Sequence, residues 1–290
     1  MPKLHGIMAV VPALLEAYQQ LQVLFSQKTS FGTEGITVVA LVELSLHHQD
    51  GGKLTAERSK ISDVLFSSPV HSFERYPTMT RLLFIQASPR GEKSKSVQIA
   101  QTYLDSLKEK SPALEVDILR LWETKLPAFD GDKVAAKINV MIGQEHDAVQ
   151  KTAWDEVVEI ASRFIGADRF LFAVPMWNGS IPYRLKQYID IIHQPGLLWG
   201  LKPDTGYFGL LVNRHATLVL TSGAYAESRP SPAFGVDHQS TYLKAWLNQV
   251  GITAIDEIRV QPTLLTADPG QVLAEAKQAA VELAISHARA

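Results

Sequence analysis

Three short turns carry the residue types that could do chemistry. Ser88-Pro89-Arg90-Gly91-Glu92-Lys93-Ser94-Lys95-Ser96 sets three serines and three cations between an apolar run and an amphipathic one. Backbone N–H groups at a helix start bind anions, and serine hydroxyls add donors without bulk. Arg90, with Lys93 or Lys95, would add charge. The turn suits one terminal phosphate. It lacks the G-x-x-x-x-G-K-[ST] of a triphosphate cradle and the G-x-G-x-x-G of a dinucleotide fold. The simpler reading is that Ser94 or Ser96 only caps the following helix. A second turn, Pro175-Met176-Trp177-Asn178-Gly179-Ser180, offers Met176 and Trp177 as a surface for a planar heterocycle. Asn178 and the backbone of 178–179 could meet its polar edge. In the third, Thr221-Ser222-Gly223-Ala224-Tyr225, small residues let a backbone approach a ring closely.

Other chemistries are excluded or weak. There is no cysteine, which removes disulfides, thiolate metal sites, iron–sulfur clusters and cysteine nucleophiles together. Redox chemistry would therefore need a bound cofactor. The nine histidines show no H-E-x-x-H spacing, so no metal is expected. No G-x-S-x-G elbow is present, against a hydrolase. His193 falls where it would meet a helix terminus. Tyr225 and His238 flank the long 224–240 segment, which reads as a cover over the site.

The three turns gain meaning from the elements around them. TRLLFIQA (80–87), LEVDILRL (114–121), RFLFAVP (169–175), ATLVLTSG (216–223) and EIRVQPTL (257–264) read as strands. Helical spacing follows each: Ser96–Lys110, Ala148–Phe164, a helix bearing Ile181, Leu185, Ile189 and Ile192, one around Tyr242–Val250, and an Ala/Glu-rich terminal helix. Residues 122–146 are an excursion containing a further helix. Alternation of this kind predicts an α/β fold, a doubly wound five-stranded parallel sheet with helices on both faces. Ligands then bind beyond the carboxyl ends of the strands, at the switch point, where the three turns fall.

Length, charge and hydropathy set the remaining bounds. A chain of 290 residues is long for one domain, and the expected division is 1–78 and 79–290. Hydrophobic residues at 46% and charged residues at 20% give enough apolar surface for a real core. A net charge of −2 without a basic stripe argues against a nucleic-acid partner. No apolar stretch reaches the ~20 residues that span a bilayer, and the first residues do not read as a signal peptide. The expectation is a cytoplasmic protein without membrane contact.

Taken together, SPRG(x)₂SxS, PMWNxxIPxxLKxYID and TSGAY, followed by AFGVDHQSTYLKAWLNQVGIT, resemble the FMN-dependent NADH:azoreductase and NAD(P)H quinone reductase family. The likeness covers about residues 79–285 and implies a flavodoxin-like homodimer. It implies an FMN phosphate at Ser88, Ser94 and Ser96 with Arg90 nearby. Ring contacts are implied from Pro175, Met176, Trp177, Asn178 and Gly179, and further ones from Ser222 and Gly223. It also implies a ping-pong cycle with NADH or NADPH as co-substrate and a quinone or azo compound as acceptor. The chemistry is carried by flavin N5, so no dedicated catalytic acid or base is needed. Two departures bear on acceptor choice. The family usually has Phe then Gly after the asparagine, where this chain has Gly179 and Ser180. It usually has Arg-Gly-Gly where this chain has Ser222-Gly223-Ala224. Two other readings of the same fold are a flavodoxin-type electron carrier and a flavin-free structural relative.

The first 78 residues read as a small, mainly helical extension and linker. Residues 12–27 have helical apolar spacing, and 36–46 fit either a buried helix or a strand. LHGIMAVVPALLEAYQQLQVLF…VVALVELSLHH is similar to the opening of the carboxymuconolactone decarboxylase/AhpD-like family. Without cysteine it would lack thiol redox activity. Glu43, His47 and His48 have the i,i+4 spacing of a proton-transfer or metal cluster on a helix, and the simpler reading is the exposed polar end of that helix.

Overall fold

The computed structural model describes residues 80–289. The readings made for residues 1–79, including the helix at 12–27, the 36–46 run, the Glu43, His47 and His48 group and the AhpD-like likeness, lie outside the described residues.

Five strands form one parallel sheet in the order β2-β1-β3-β6-β7. They are β1 (Arg81–Gln86), β2 (Glu115–Arg120), β3 (Arg169–Pro175), β6 (His215–Thr221) and β7 (Ala254–Val260). The helices are α1 (Lys95–Lys110), α2 (Gly131–Ile142), α3 (Ala148–Ile165), α4 (Tyr183–Ile192), α5 (Gln239–Gln249) and α6 (Pro269–Arg289). A separate antiparallel hairpin pairs β4 (Trp199–Lys202) with β5 (Gly206–Gly209). Among the described residues no helix is long and apolar enough to cross a membrane.

The pleat explains why β1, β3 and β6 read as unbroken apolar runs. Successive side chains point to opposite faces, and both faces are covered. Leu82 and Phe84 pack with Val97, Tyr103 and Leu104 of α1 and Ala276, Ala280 and Ala284 of α6. Leu83 and Ile85 belong to the other layer, with Val157 and Phe164 of α3, Leu185 and Ile189 of α4 and Leu243 and Trp246 of α5. Edge strands β2 and β7 are less covered, with only Leu119 buried in the first and Ile258 and Val260 in the second.

Two helices carry clear start signals. Asp130 accepts from the Lys133 N–H at the start of α2, which ends on Gly143 at φ 68°. Asp147 and Gln150 form a reciprocal capping box on α3. One strand differs from the sequence expectation. β7 spans 254–260 rather than 257–264, because Pro262 has no N–H to give a ladder. The hairpin at 199–209 was not expected at all.

The order places the switch point between β1 and β3. The chain leaves β1 towards β2 on one side and later adds β3 on the other, so the loops after the two strands diverge and leave a crevice.

Candidate functional site

The crevice is lined by the loops that follow β1, β3, β6 and β7. Ser88, Pro89, Arg90, Ser94, Lys95, Pro175, Met176, Trp177, Thr221, Ser222, Gly223, Thr263 and Leu264 enclose about 250 Å³. Of the residues expected from the sequence, Ser88, Arg90, Ser94, Pro175, Met176, Trp177, Ser222 and Gly223 meet here. Ser96 stands behind this wall, fully buried, with its Oγ 3.0 Å from that of Ser94.

The Ser94 hydroxyl does not cap. It sits at the N-cap position of α1, yet no side chain caps that helix and no acidic residue lies in its first turn. A 16-residue helix therefore directs its uncapped N-terminus and its positive dipole end toward the crevice. Ser88 is also buried, and its Oγ accepts from the Arg90 N–H at 3.3 Å. Arg90 is exposed at the rim, and Lys95 donates to the Thr263 carbonyl across the crevice at 3.1 Å. Buried hydroxyls, a helix start and two cations are a donor set for a phosphate monoester.

At the far end the surface is aromatic. Trp177 packs with Trp122 at 5.6 Å between ring centroids and with Tyr183 at 6.1 Å, and Trp122 and Tyr183 are 5.3 Å apart. Trp122 donates to the Ala87 carbonyl at 3.0 Å, tying this cluster to the end of β1. The opposite wall is held by backbone. The Thr263 and Leu264 N–H groups donate to the carbonyls of Ser222 and Gly223, both at 2.8 Å. A Cβ on Gly223 would stand 3.3 Å from the Leu264 side chain, so glycine keeps this wall open.

Asn178 and Gly179 are placed differently. Trp177 and Ser180 exchange backbone hydrogen bonds at 2.8 and 2.9 Å, with Asn178 at φ 49° and Gly179 at φ 80° between them. This is a tight turn with two left-handed residues, which Asn-Gly makes at least cost. Asn178 is exposed and lines a second cavity of about 510 Å³ with Phe129, Tyr183, Lys186, Asp190 and Tyr242. That cavity is larger, but no buried serine lines it and the Asp190 carboxylate does, so the smaller crevice is the one built for a phosphate. In the larger cavity burial holds the Tyr242 phenol up to about 12, with nearby Asp190 adding to it, so it is a permanent donor. Trp177 borders both spaces.

The 224–238 segment ends firmly. His238 N–H donates to the Gly179 carbonyl at 2.8 Å, and Asp237 accepts from the N–H groups of Gln239 and Ser240 at 2.9 and 2.8 Å. Ser222 Oγ donates to the Tyr225 carbonyl at 2.5 Å. His193 ends α4, and its Nδ1 accepts from Trp246 at 3.3 Å. Sequence reading missed Trp122, Thr263 and Leu264 as site residues. Trp122 was detectable as an aromatic directly after a strand, whereas 263–264 were hidden inside the overlong fifth strand.

A five-stranded sheet in this order, with the 88–96 and 175–180 turns meeting at its switch point, defines a flavodoxin-like protein. The family described as Flavodoxin-like fold matches residues 80–284. An FMN-dependent NADH:quinone oxidoreductase of Ruegeria pomeroyi is 51% identical over 191 residues, covering 66% of this chain and 93% of the relative. Another from Desulfotalea psychrophila is 41% identical over 207 residues, covering 71% and 97%. An FMN-dependent NADH-azoreductase from Bacillus anthracis str. Ames Ancestor, solved in complex with FMN, superposes with a TM-score of 0.63 at 28% identity, covering 72% of this chain and 100% of that one. The chain belongs to this flavodoxin-like family of FMN-dependent NADH:quinone oxidoreductases and azoreductases.

Proposed function

We propose that the chain is an FMN-dependent NAD(P)H oxidoreductase that reduces quinones or azo compounds. The observation that carries the reading is the crevice itself. It joins an uncapped helix N-terminus with buried Ser88, Ser94 and Ser96 at one end to Met176 and Trp177 at the other. In this reading Ser88, Ser94 and the first N–H groups of α1 hold the FMN phosphate, with Ser96 fixing the Ser94 hydroxyl. Arg90 and Lys95 supply charge. Pro175, Met176 and Trp177 support the ring, and Ser222 and Gly223 approach it through backbone. Asn178 and Gly179 shape the ring-side turn.

FMN supplies hydride transfer between the nicotinamide and the acceptor in two half-reactions. The protein's part is to bind, orient and leave one side accessible. A crevice of about 250 Å³ lies just below the ~300–1,000 Å³ of most small-molecule sites, which leaves part of the cofactor open to its partners. A quinone or azo compound is flat, as is the Trp122, Trp177 and Tyr183 cluster beside that opening.

The protein acts in this reading as a cytoplasmic homodimer with no nucleic-acid partner. The dimer is supported by α2, whose Val134, Ile138, Met141 and Ile142 are exposed along one face. The domain that does this work is 79–290, with 1–78 as an extension to it.

The test is a visible spectrum of the purified protein, followed by anaerobic NADH and then a quinone. A yellow protein that bleaches and regains colour supports both half-reactions. A yellow protein that NADH leaves oxidised is an electron carrier, and a colourless one that ignores added FMN has lost the chemistry.

A further inference from the structure

We propose that His215, Asp256 and His287 form a site for a borderline divalent transition-metal cation of the zinc class, at the amino edge of the sheet. His215 Nε2 lies 2.7 Å from Asp256 Oδ2, and His287 Nε2 lies 3.0 Å from the same oxygen. The three ligand atoms all lie within 4.8 Å of one another. The pleat explains the convergence. Asp256 is in register with Thr217, and His215 shares the face of Thr217 two residues earlier. His287, near the end of α6, comes down on that face.

The set of donors selects the cation. Two imidazole nitrogens and one carboxylate oxygen suit zinc, cobalt or nickel, whereas calcium and magnesium prefer oxygen shells. Bonds of about 2.0–2.2 Å would put tetrahedral ligand atoms roughly 3.4 Å apart. The two short His–Asp distances need to open by less than about 1 Å for that. Asp256 is 44% exposed, which leaves the remaining position to water.

The surrounding shell is also in place. Tyr103 Oη lies 2.7 Å from His287 Nδ1, and Thr217 Oγ1 donates to Tyr103 Oη at 3.4 Å. Both hydroxyls can reverse, so His287 can carry its proton on Nδ1 and present the Nε2 lone pair outward. Arg169 Nη1 donates to the His287 carbonyl at 3.2 Å and fixes the end of α6. No metal was expected from the sequence, in which the three residues lie far apart.

The site stands at the opposite edge of the sheet from the crevice. β6 runs from His215 to Thr221, roughly 20 Å. A cation here joins β6, β7 and α6, and the flavin chemistry does not depend on it. The test is calorimetric titration of zinc into the full chain without a polyhistidine tag, alongside cobalt absorption spectra. The expected result is one site with visible cobalt d–d bands and a zinc-dependent rise in Tm. Asp256→Asn and the pair His215→Asn with His287→Gln should each weaken binding by at least about tenfold. Far-UV circular dichroism and FMN content serve as folding controls, and NADH turnover should not respond to zinc. Absent stoichiometric binding, or binding undiminished in both variants, overturns the proposal. A lower Tm in the variants with no zinc response in the parent also overturns it, and leaves a hydrogen-bonded clamp.

Discussion

Ser94 occupies a helix N-cap position without capping, its hydroxyl turned to Ser96 instead. An unspent donor set of this kind is what a phosphate needs, and hydrogen bonds to a charged group are worth about 1.5–3 kcal/mol each. Ser94→Ala should therefore weaken FMN binding to the apoprotein by roughly ten- to a hundredfold with little change in Tm, read by fluorescence titration of FMN. Unchanged affinity would remove Ser94 from the phosphate site. Gly179 has a different constraint, since φ 80° is combined with a carbonyl of Val236 that a Cβ would meet at 3.1 Å. Gly179→Ala should cost about 1–3 kcal/mol in a urea titration and loosen the 236–238 segment that hydrogen-bonds to it. The serines and Trp177 were legible because their chemistry is local. Asn178 was assigned to a ring edge from its residue type, and its left-handed φ and exposure at the tip of the turn beside Trp177 could not be read from that type.

At the scale of elements, β1, β3 and β6 were legible to within one or two residues because strands buried on both faces read as unbroken apolar runs, and the edge strand β2 was legible from its alternating sequence. The β4–β5 hairpin was not. Its strands have four residues each, and Gly200, Gly206 and Gly209 interrupt any alternation. The Phe208 ring lies over its cross-strand partner Gly200, and the tertiary contact is made by Gly209, where a Cβ would stand 2.2 Å from the Val250 carbonyl carbon just after α5. Junctions between elements also set the response to acid. Burial pushes the His193 imidazole down to about 4, with Lys137 adding repulsion, from an ordinary 6.5. The unfolded chain takes up that proton between the two values while the folded chain does not, so stability falls as pH drops from about 6.5 to about 4. Solvent screening of this half-buried ring brings the contribution to about 1–2 kcal/mol. Asp117 acts later. Hydrogen bonds from Arg163 hold its carboxyl below the ordinary 3.8, so its contribution persists above that value and is lost as pH falls through the lowered one. Urea midpoints from pH 7 to 4 should fall for the parent and flatten for His193→Gln, with equal slopes counting against this assignment.

For the whole molecule, the exposed apolar face of α2 and the 510 Å³ cavity beside Trp177 are the surfaces a second copy would cover. Ile138→Asp should shift sedimentation from dimer to monomer while leaving the far-UV spectrum intact. A parent that sediments as a monomer would rule out the dimer. The partition of the molecule into two working edges follows from the parallel sheet, whose strand ends cannot mix. Two indoles, Trp122 and Trp177, are 5.6 Å apart beside the ring-side wall. A yellow chromophore seated there accepts their excitation energy, so their near-ultraviolet emission dims as the crevice fills. On the proposed ring placement this gives an optical gauge of occupancy, readable in a fluorimeter without any substrate present.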